Sequence, residues 1–133
     1  MEVTVLPLEL LMDIPGASAG EAAPFHYVVE AGVDAEYESE FNAWYDTEHL
    51  PGLAAVAGCV HARRLRIFET PAGRSTYLAC YDLVSPSALT TEAWLAVRHT
   101  PWSDRVRSTF RDTKRTVFQT ISSTRTGAAR SGN

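Results

Sequence analysis

The chain has 133 residues, 45% of them apolar and 21% charged, proportions that suit one globular domain and exclude a disordered or low-complexity polymer. Its net charge of −4 is unevenly placed: residues 1–92 carry 14 acidic and 4 basic side chains, whereas residues 93–133 carry 2 and 8. An acidic body with a basic C-terminal third argues against a dedicated nucleic-acid protein, and Cys59 and Cys80, which form neither a CxxC nor a zinc spacing, read as reduced thiols of a cytoplasmic protein.

Residues 1–24 read as an N-terminal extension. Met1 to Met12 is apolar but has no basic leader, and Glu2, Pro7 and Glu9 interrupt it. It therefore reads as an extra strand or packing arm, not as a signal peptide or membrane span. Residues 13–24 are a loop by composition. Phe25 to Glu30 then makes the first strand of the main body, ended by Gly32, and Asp34 is the expected N-cap of a helix over 35–50. Pro51-Gly52 is expected to stop that helix.

On a helical wheel Tyr37, Trp44, Tyr45 and Glu48 fall within about 60° of Phe41, with His49 near 80°. The apolar stripe thus carries a carboxylate, with an imidazole at its edge. Asp34, Glu36, Ser39, Asp46 and Thr47 already supply a solvated face, so Glu48 and His49 are expected to face whatever the helix packs on.

Gly58 opens a second strand over 59–68. Strict alternation puts Val60, Ala62, Arg64, Arg66 and Phe68 on one face and Cys59, His61, Arg63, Leu65 and Ile67 on the other. Pro71-Ala72-Gly73 turns the chain into a third strand over 76–83, whose hairpin register sets Cys80 nearer Arg63 than Cys59. Ser85-Pro86 starts a second helix over 86–98 that breaks near Thr90-Thr91, and Thr100-Pro101 starts a short one. Arg115 to Ile121 is the last strand, and 124–133 is a polar tail expected to be disordered.

The order strand, helix, strand, strand, helix, strand predicts an α+β domain over 25–123 with the ferredoxin-like βαββαβ plan, an antiparallel sheet with its helices on one face. RNA-recognition domains share that plan, but Ser75 to Tyr81 lacks their basic-glycine-aromatic run. No G-x-S-x-G marks a serine nucleophile, and His26, His61 and His99 have no spacing that suggests a metal site.

At Trp44-Tyr45-Asp46-x-Glu48-His49-Leu50-Pro51, then Gly58, Ala62-Arg63-Arg64 and Tyr77-Leu78-x-x-Tyr81, the sequence resembles the dimeric α+β barrel superfamily, nearest its EthD-like branch. The resemblance covers roughly residues 25 to 121. It implies a homodimer in which two sheets close into a barrel, each monomer keeping a cleft between its helices and its own sheet. Members include cofactor-free isomerases, cyclases and dehydratases, small monooxygenases and haem-binding proteins.

The expected function is therefore a cofactor-independent isomerase, cyclase or lyase acting by proton transfer on a small apolar or aromatic carbonyl, lactone or polyketide-like substrate. His49 is the expected general acid/base, oriented by Glu48 or Asp46 and favoured as the imidazolium by the helix C-terminus. Arg64 is the candidate to hold an anionic oxygen, or else part of a helix-to-sheet ion pair with Glu48 and His49. Tyr45 and Tyr81 are candidate hydroxyl donors, and Trp44, Trp94 and Phe118 candidate pocket walls. No metal, cofactor, nucleic acid or membrane is expected as a partner. The alternatives are a non-catalytic small-ligand-binding or assembly protein on the same scaffold, and a small monooxygenase or haem-binding protein using Asn42, Trp44 and His49.

Overall fold

The computed structural model describes residues 7–68 and 73–121. Five strands form one antiparallel sheet: β1 (Leu8–Pro15), β2 (Phe25–Asp34), β3 (Cys59–Ile67), β4 (Arg74–Leu83) and β5 (Arg111–Gln119), in the spatial order β1-β3-β4-β2-β5. Without β1 this is the ferredoxin-like strand order, and the α+β class expected from the sequence is the one observed. Residues 8–15 supply the extra strand, paired along β3. Asp13 to Pro15, expected in a loop, therefore belong to the sheet. The tail beyond residue 123 lies outside the described residues.

Cross-strand register assigns the two sheet faces. Ala62, Tyr81, Tyr27 and Val117 stand opposite one another along one row, and Arg64, Ala79, Val29 and Arg115 along the next. These rows lie under the helices. The other face carries Leu10, Leu65, Leu78 and Glu30 in one row, and His61, Asp82, His26 and Phe118 in another. Cys80 is opposite Arg63, as the hairpin register requires.

Three strand expectations need correction, the first being the last strand, which runs Arg111–Gln119 where Arg115 to Ile121 was expected. The β3–β4 register shifts between Cys59 and His61, and this bulge turns Cys59 to the same buried side as Ala62. Gly32 does not end its strand: β2 runs on to Asp34, with a register shift against β5 between Glu30 and Gly32. Arg111 backbone approaches Gly32 closely there, where a Cβ would lie 3.3 Å from the Arg111 carbonyl oxygen.

The helix after β2 also departs from the plain reading. A 3-10 turn (Ala35–Tyr37) leads into α1 (Glu38–Trp44), a π turn (Tyr45–His49) and α2 (Leu50–Ala54). Asp34 makes no side-chain cap bond; its carboxylate pairs instead with Arg111 at 3.0 Å. Tyr37, placed on the apolar stripe by the wheel, is 40% exposed. Pro51-Gly52 does not stop the helix. The π turn ends in a Leu50 N–H to Tyr45 carbonyl bond, and Pro51 then falls in the first turn of α2, where a missing N–H is tolerated.

The remaining start signals act as read. Ser85 Oγ accepts from the Ser87 N–H before a 3-10 turn (Pro86–Thr90), and Thr91 Oγ1 accepts from the Trp94 N–H to start α3 (Glu92–Arg98). Thr100 Oγ1 accepts from the Ser103 N–H to start α4 (Pro101–Arg107). Between helices and sheet lies the core, in which Phe41, Trp44, Leu50, Val33 and Leu83 are fully buried. Among the described residues no helix is long and apolar enough to cross a membrane.

Candidate functional site

The π turn decides what the helix shows the sheet. Trp44 and His49 are five residues apart, about 140° around an ordinary α-helix. Here their rings stack with centroids 4.1 Å apart and planes 20° from parallel. Tyr45 meets His49 edge-on at 5.3 Å. His49 is thereby only 7% exposed, deeper than the wheel placed it.

Below this cluster, Tyr27 and Tyr81 stack at 5.9 Å on the sheet, and Trp94 of α3 meets both edge-on. A cleft opens between the two layers, lined by these aromatics and His49, by Leu53 and Phe110, and by Arg98, Arg107 and Arg115. Its clear space is about 20 Å³, enough for about one water molecule.

Two polar atoms beside the cleft are sealed from solvent without a hydrogen-bond partner, His49 Nδ1 and the Tyr81 hydroxyl; a third is Arg107 Nε. Buried polar groups are ordinarily paired, so three on one cleft mark it out. Burial, reinforced by the charges of Arg107, Arg98 and Arg115, pulls the His49 pKa down to about 3. The imidazole is neutral near neutral pH, which corrects the expected imidazolium: the helix-terminus effect is overridden by desolvation. Burial likewise holds the Tyr81 and Tyr45 hydroxyls above the ordinary phenol range.

The expected site thus divides. Trp44, Tyr45, His49, Tyr81 and Trp94 come together at one cleft. Glu48 and Asp46 do not orient His49. The Glu48 carboxylate accepts from Thr100 Oγ1 at 2.6 Å and fastens the start of α4. Asp46 accepts from Arg64 Nη1 at 2.7 Å. Arg64, 1% exposed, also donates to Asn42 Oδ1 at 2.7 Å and lies against the Tyr45 ring with its guanidinium carbon 4.7 Å from the centroid. The helix-to-sheet ion pair therefore exists, with Asp46 in the place expected for Glu48 and His49.

Arg64, Asp46 and Asn42 line a separate open groove with Glu9, Glu38, Arg66 and Tyr77. Asn42 is consequently apart from the Trp44–His49 stack with which a haem reading would group it. Phe118 is not a cleft wall: it is 54% exposed and opposite His26 on the far face of the sheet.

Sequence reading missed Tyr27, Phe110 and the three arginines. The only signal for the arginines was the basic surplus after residue 92, which does not say where those charges meet. Among the described residues no group of three or more His, Cys, Asp and Glu side chains is placed to hold a metal ion.

The family model for a domain of unknown function, DUF4286, matches residues 25–122. No curated protein matches the sequence. Two solved structures share the fold. One, described as a major regulator of staphylococcal pathogenesis, superposes with a TM-score of 0.57 at 12% identity, covering 91% of this chain and 74% of the other. The second, named "Putative monooxygenase" from Fusobacterium nucleatum, gives a TM-score of 0.52 at 10% identity, with coverage of 88% and 51%. This chain spans about half the length of that second protein.

Proposed function

Since the chain belongs to the DUF4286 family, whose function is unknown, we propose, from its site, that it is a cofactor-independent enzyme that moves a proton on a small carbonyl substrate held between helices and sheet. The observation that carries this is the pair of sealed, unpartnered groups on one aromatic cleft, His49 Nδ1 and the Tyr81 hydroxyl. A neutral imidazole can take a proton from the carbon next to a carbonyl, and a phenol can donate a hydrogen bond to the enolate oxygen that develops. Returning the same proton to a different carbon completes an isomerisation with no co-reactant. His49 thus begins the cycle as base, and Arg64, engaged by Asp46 and Asn42, is a structural group. The scaffold would be the EthD-like dimeric α+β barrel, a reading supported by the row of Leu10, Leu65 and Leu78 on the open sheet face, with Leu10 55% exposed.

A second reading, non-catalytic binding of a small ligand, draws on two facts: the small clear space of the cleft and a His49 pKa that leaves the free imidazole a weak base. Native mass spectrometry of the purified protein beside its His49→Ala variant identifies a retained molecule. Incubating that molecule with the wild type in D₂O separates the readings. Deuterium entering a carbon next to the carbonyl, lost in His49→Ala, is expected of the enzyme; a bound but unexchanged molecule would leave binding alone. The monooxygenase and haem alternatives rest on fold likeness, and a Soret band or oxygen uptake would be needed to move weight to them.

A further inference from the structure

The cleft gathers three arginines, of which one reaches a carboxylate. Arg98 comes from α3, Arg107 from α4 and Arg115 from β5, and no carboxylate is among the residues lining it. Elsewhere arginines are paired: Arg63 with Asp82, Arg64 with Asp46, Arg66 with Glu9, Arg105 with Glu40 and Arg111 with Asp34. Arg98 and Arg115 form no ion pair among the described residues. Arg107 reaches Asp104 through Nη2 at 3.0 Å, while its Nε is buried with no partner. The crowding is felt within the cluster, because burial and then the charges of Arg107 and Arg115 lower the pKa of Arg98. A chain of net charge −4 has acids to spare, yet Asp104, outside the lining, is the one carboxylate paired with these three arginines among the described residues.

Like charges brought together beside unpartnered donors in an aromatic cleft are a recognition site for an anion. We propose that the ligand of this cleft is a small organic anion, its carboxylate or equivalent group held by Arg98, Arg107 and Arg115 and its apolar body resting against Tyr27 and Phe110, the half-buried aromatics of the lining. This rests on the reading of the cleft as a ligand site and names the class of its ligand.

Occupancy then changes His49. The charged groups facing the ring are Arg98 of α3, Arg107 of α4 and Arg115 of β5; Tyr27 of β2, Tyr81 of β4 and Tyr45 of its own helix are the titratable neighbours. Burial is the larger cause of the neutral imidazole, and an anion among the arginines offsets the part that their charges add, so the ligand makes its own base somewhat stronger on binding.

The test uses benzoate, its neutral analogue benzamide, and inorganic phosphate as probes, read by tryptophan fluorescence and by the ring-nitrogen NMR signals of His49. Benzoate is expected to bind roughly tenfold or more tighter than benzamide, a ratio set by one charge-assisted contact, and to shift the His49 midpoint upward. Arg98→Gln, at a half-buried position, and Arg115→Gln, at an exposed one, should each weaken benzoate several-fold and leave benzamide unchanged. Arg111→Gln, on the same strand but paired with Asp34, should leave both probes unchanged. Equal binding of benzoate and benzamide would overturn the anion and leave the ligand cleft standing. Phosphate displacing benzoate would overturn the organic body. A protein indifferent to all three probes would overturn both this inference and the cleft reading beneath it.

Discussion

His49 lies flat on Trp44, with ring centroids 4.1 Å apart, across a five-residue spacing that only a π turn brings to one face. The stack ties the position of the proposed base to a local irregularity in the backbone. An uninterrupted α-helix would swing His49 away from the tryptophan, and the cleft would lose its imidazole. π turns of this kind recur at functional sites, which agrees with the one observed here.

The charge state of His49 makes the protein sensitive to acid. Its folded pKa of about 3 is below the ordinary 6.5, so the unfolded chain binds the extra proton first. The His49 contribution is fully present above about pH 6.5 and is lost as pH falls toward 3, at about 1.4 kcal/mol per unit. Urea unfolding from pH 7 to 4 should show stability falling with acid, with a shallower slope in His49→Phe. Equal slopes in the two proteins would mean that His49 is not buried as a neutral ring.

Ser103 is fully buried and accepts the indole N–H of Trp44 at 3.1 Å. Ser103→Ala strands that donor in the core, and the expected loss is about 2 kcal/mol. Chemical denaturation measures it. Ser103→Thr keeps the acceptor and tests whether the hydroxyl or the space matters.

Arg64 is held by Asp46 and Asn42 while its guanidinium contacts three aromatic rings. Arg64→Met removes a buried charge and its bonds together, and a loss on the order of 3 kcal/mol is expected. Asp46 is about half exposed, but Asp46→Asn leaves the buried Arg64 guanidinium without its carboxylate, so a loss on the order of 3 kcal/mol is expected there too. Neither variant should alter benzoate binding, since both residues line the other groove. Weaker benzoate binding at unchanged fold would return Arg64 to the substrate site.

Gly16 shows how the first strand is seated. Its N–H donates to the Val60 carbonyl at 2.9 Å, and a Cβ there would lie 2.1 Å from the Cys59 carbonyl oxygen. No side-chain rotation relieves a clash with backbone. Gly16→Ala should therefore cost about 3 kcal/mol or detach β1 from β3, and amide exchange along Leu8–Pro15 would show which.

The open sheet face predicts association. Sedimentation equilibrium should find a dimer, and Leu78→Glu, which puts a charge between Leu65 and Glu30, should yield a folded monomer. A monomeric wild type would remove the barrel reading and leave the cleft within one chain.

Much of this molecule is written locally. Ser85, Thr91 and Thr100 start their elements because each cap accepts from an N–H two or three residues onward. The alternation of β4 and the aromatics around Phe41 define a sheet and a helix with one buried side, and the order of elements follows. That is why the α+β plan, and the burial of Trp44 and Tyr45 on one side of their helix, can be read without coordinates. Long-range pairing cannot be read in the same way. Whether Glu48 meets His49 or Thr100, and whether Arg64 meets Asp46 or a substrate, depends on register and on a π turn that no residue type announces. Nor does the basic surplus after residue 92 say that Arg98, Arg107 and Arg115 converge. Three elements must pack before their charges share one cleft, and only then does burial among those charges decide that His49 is neutral.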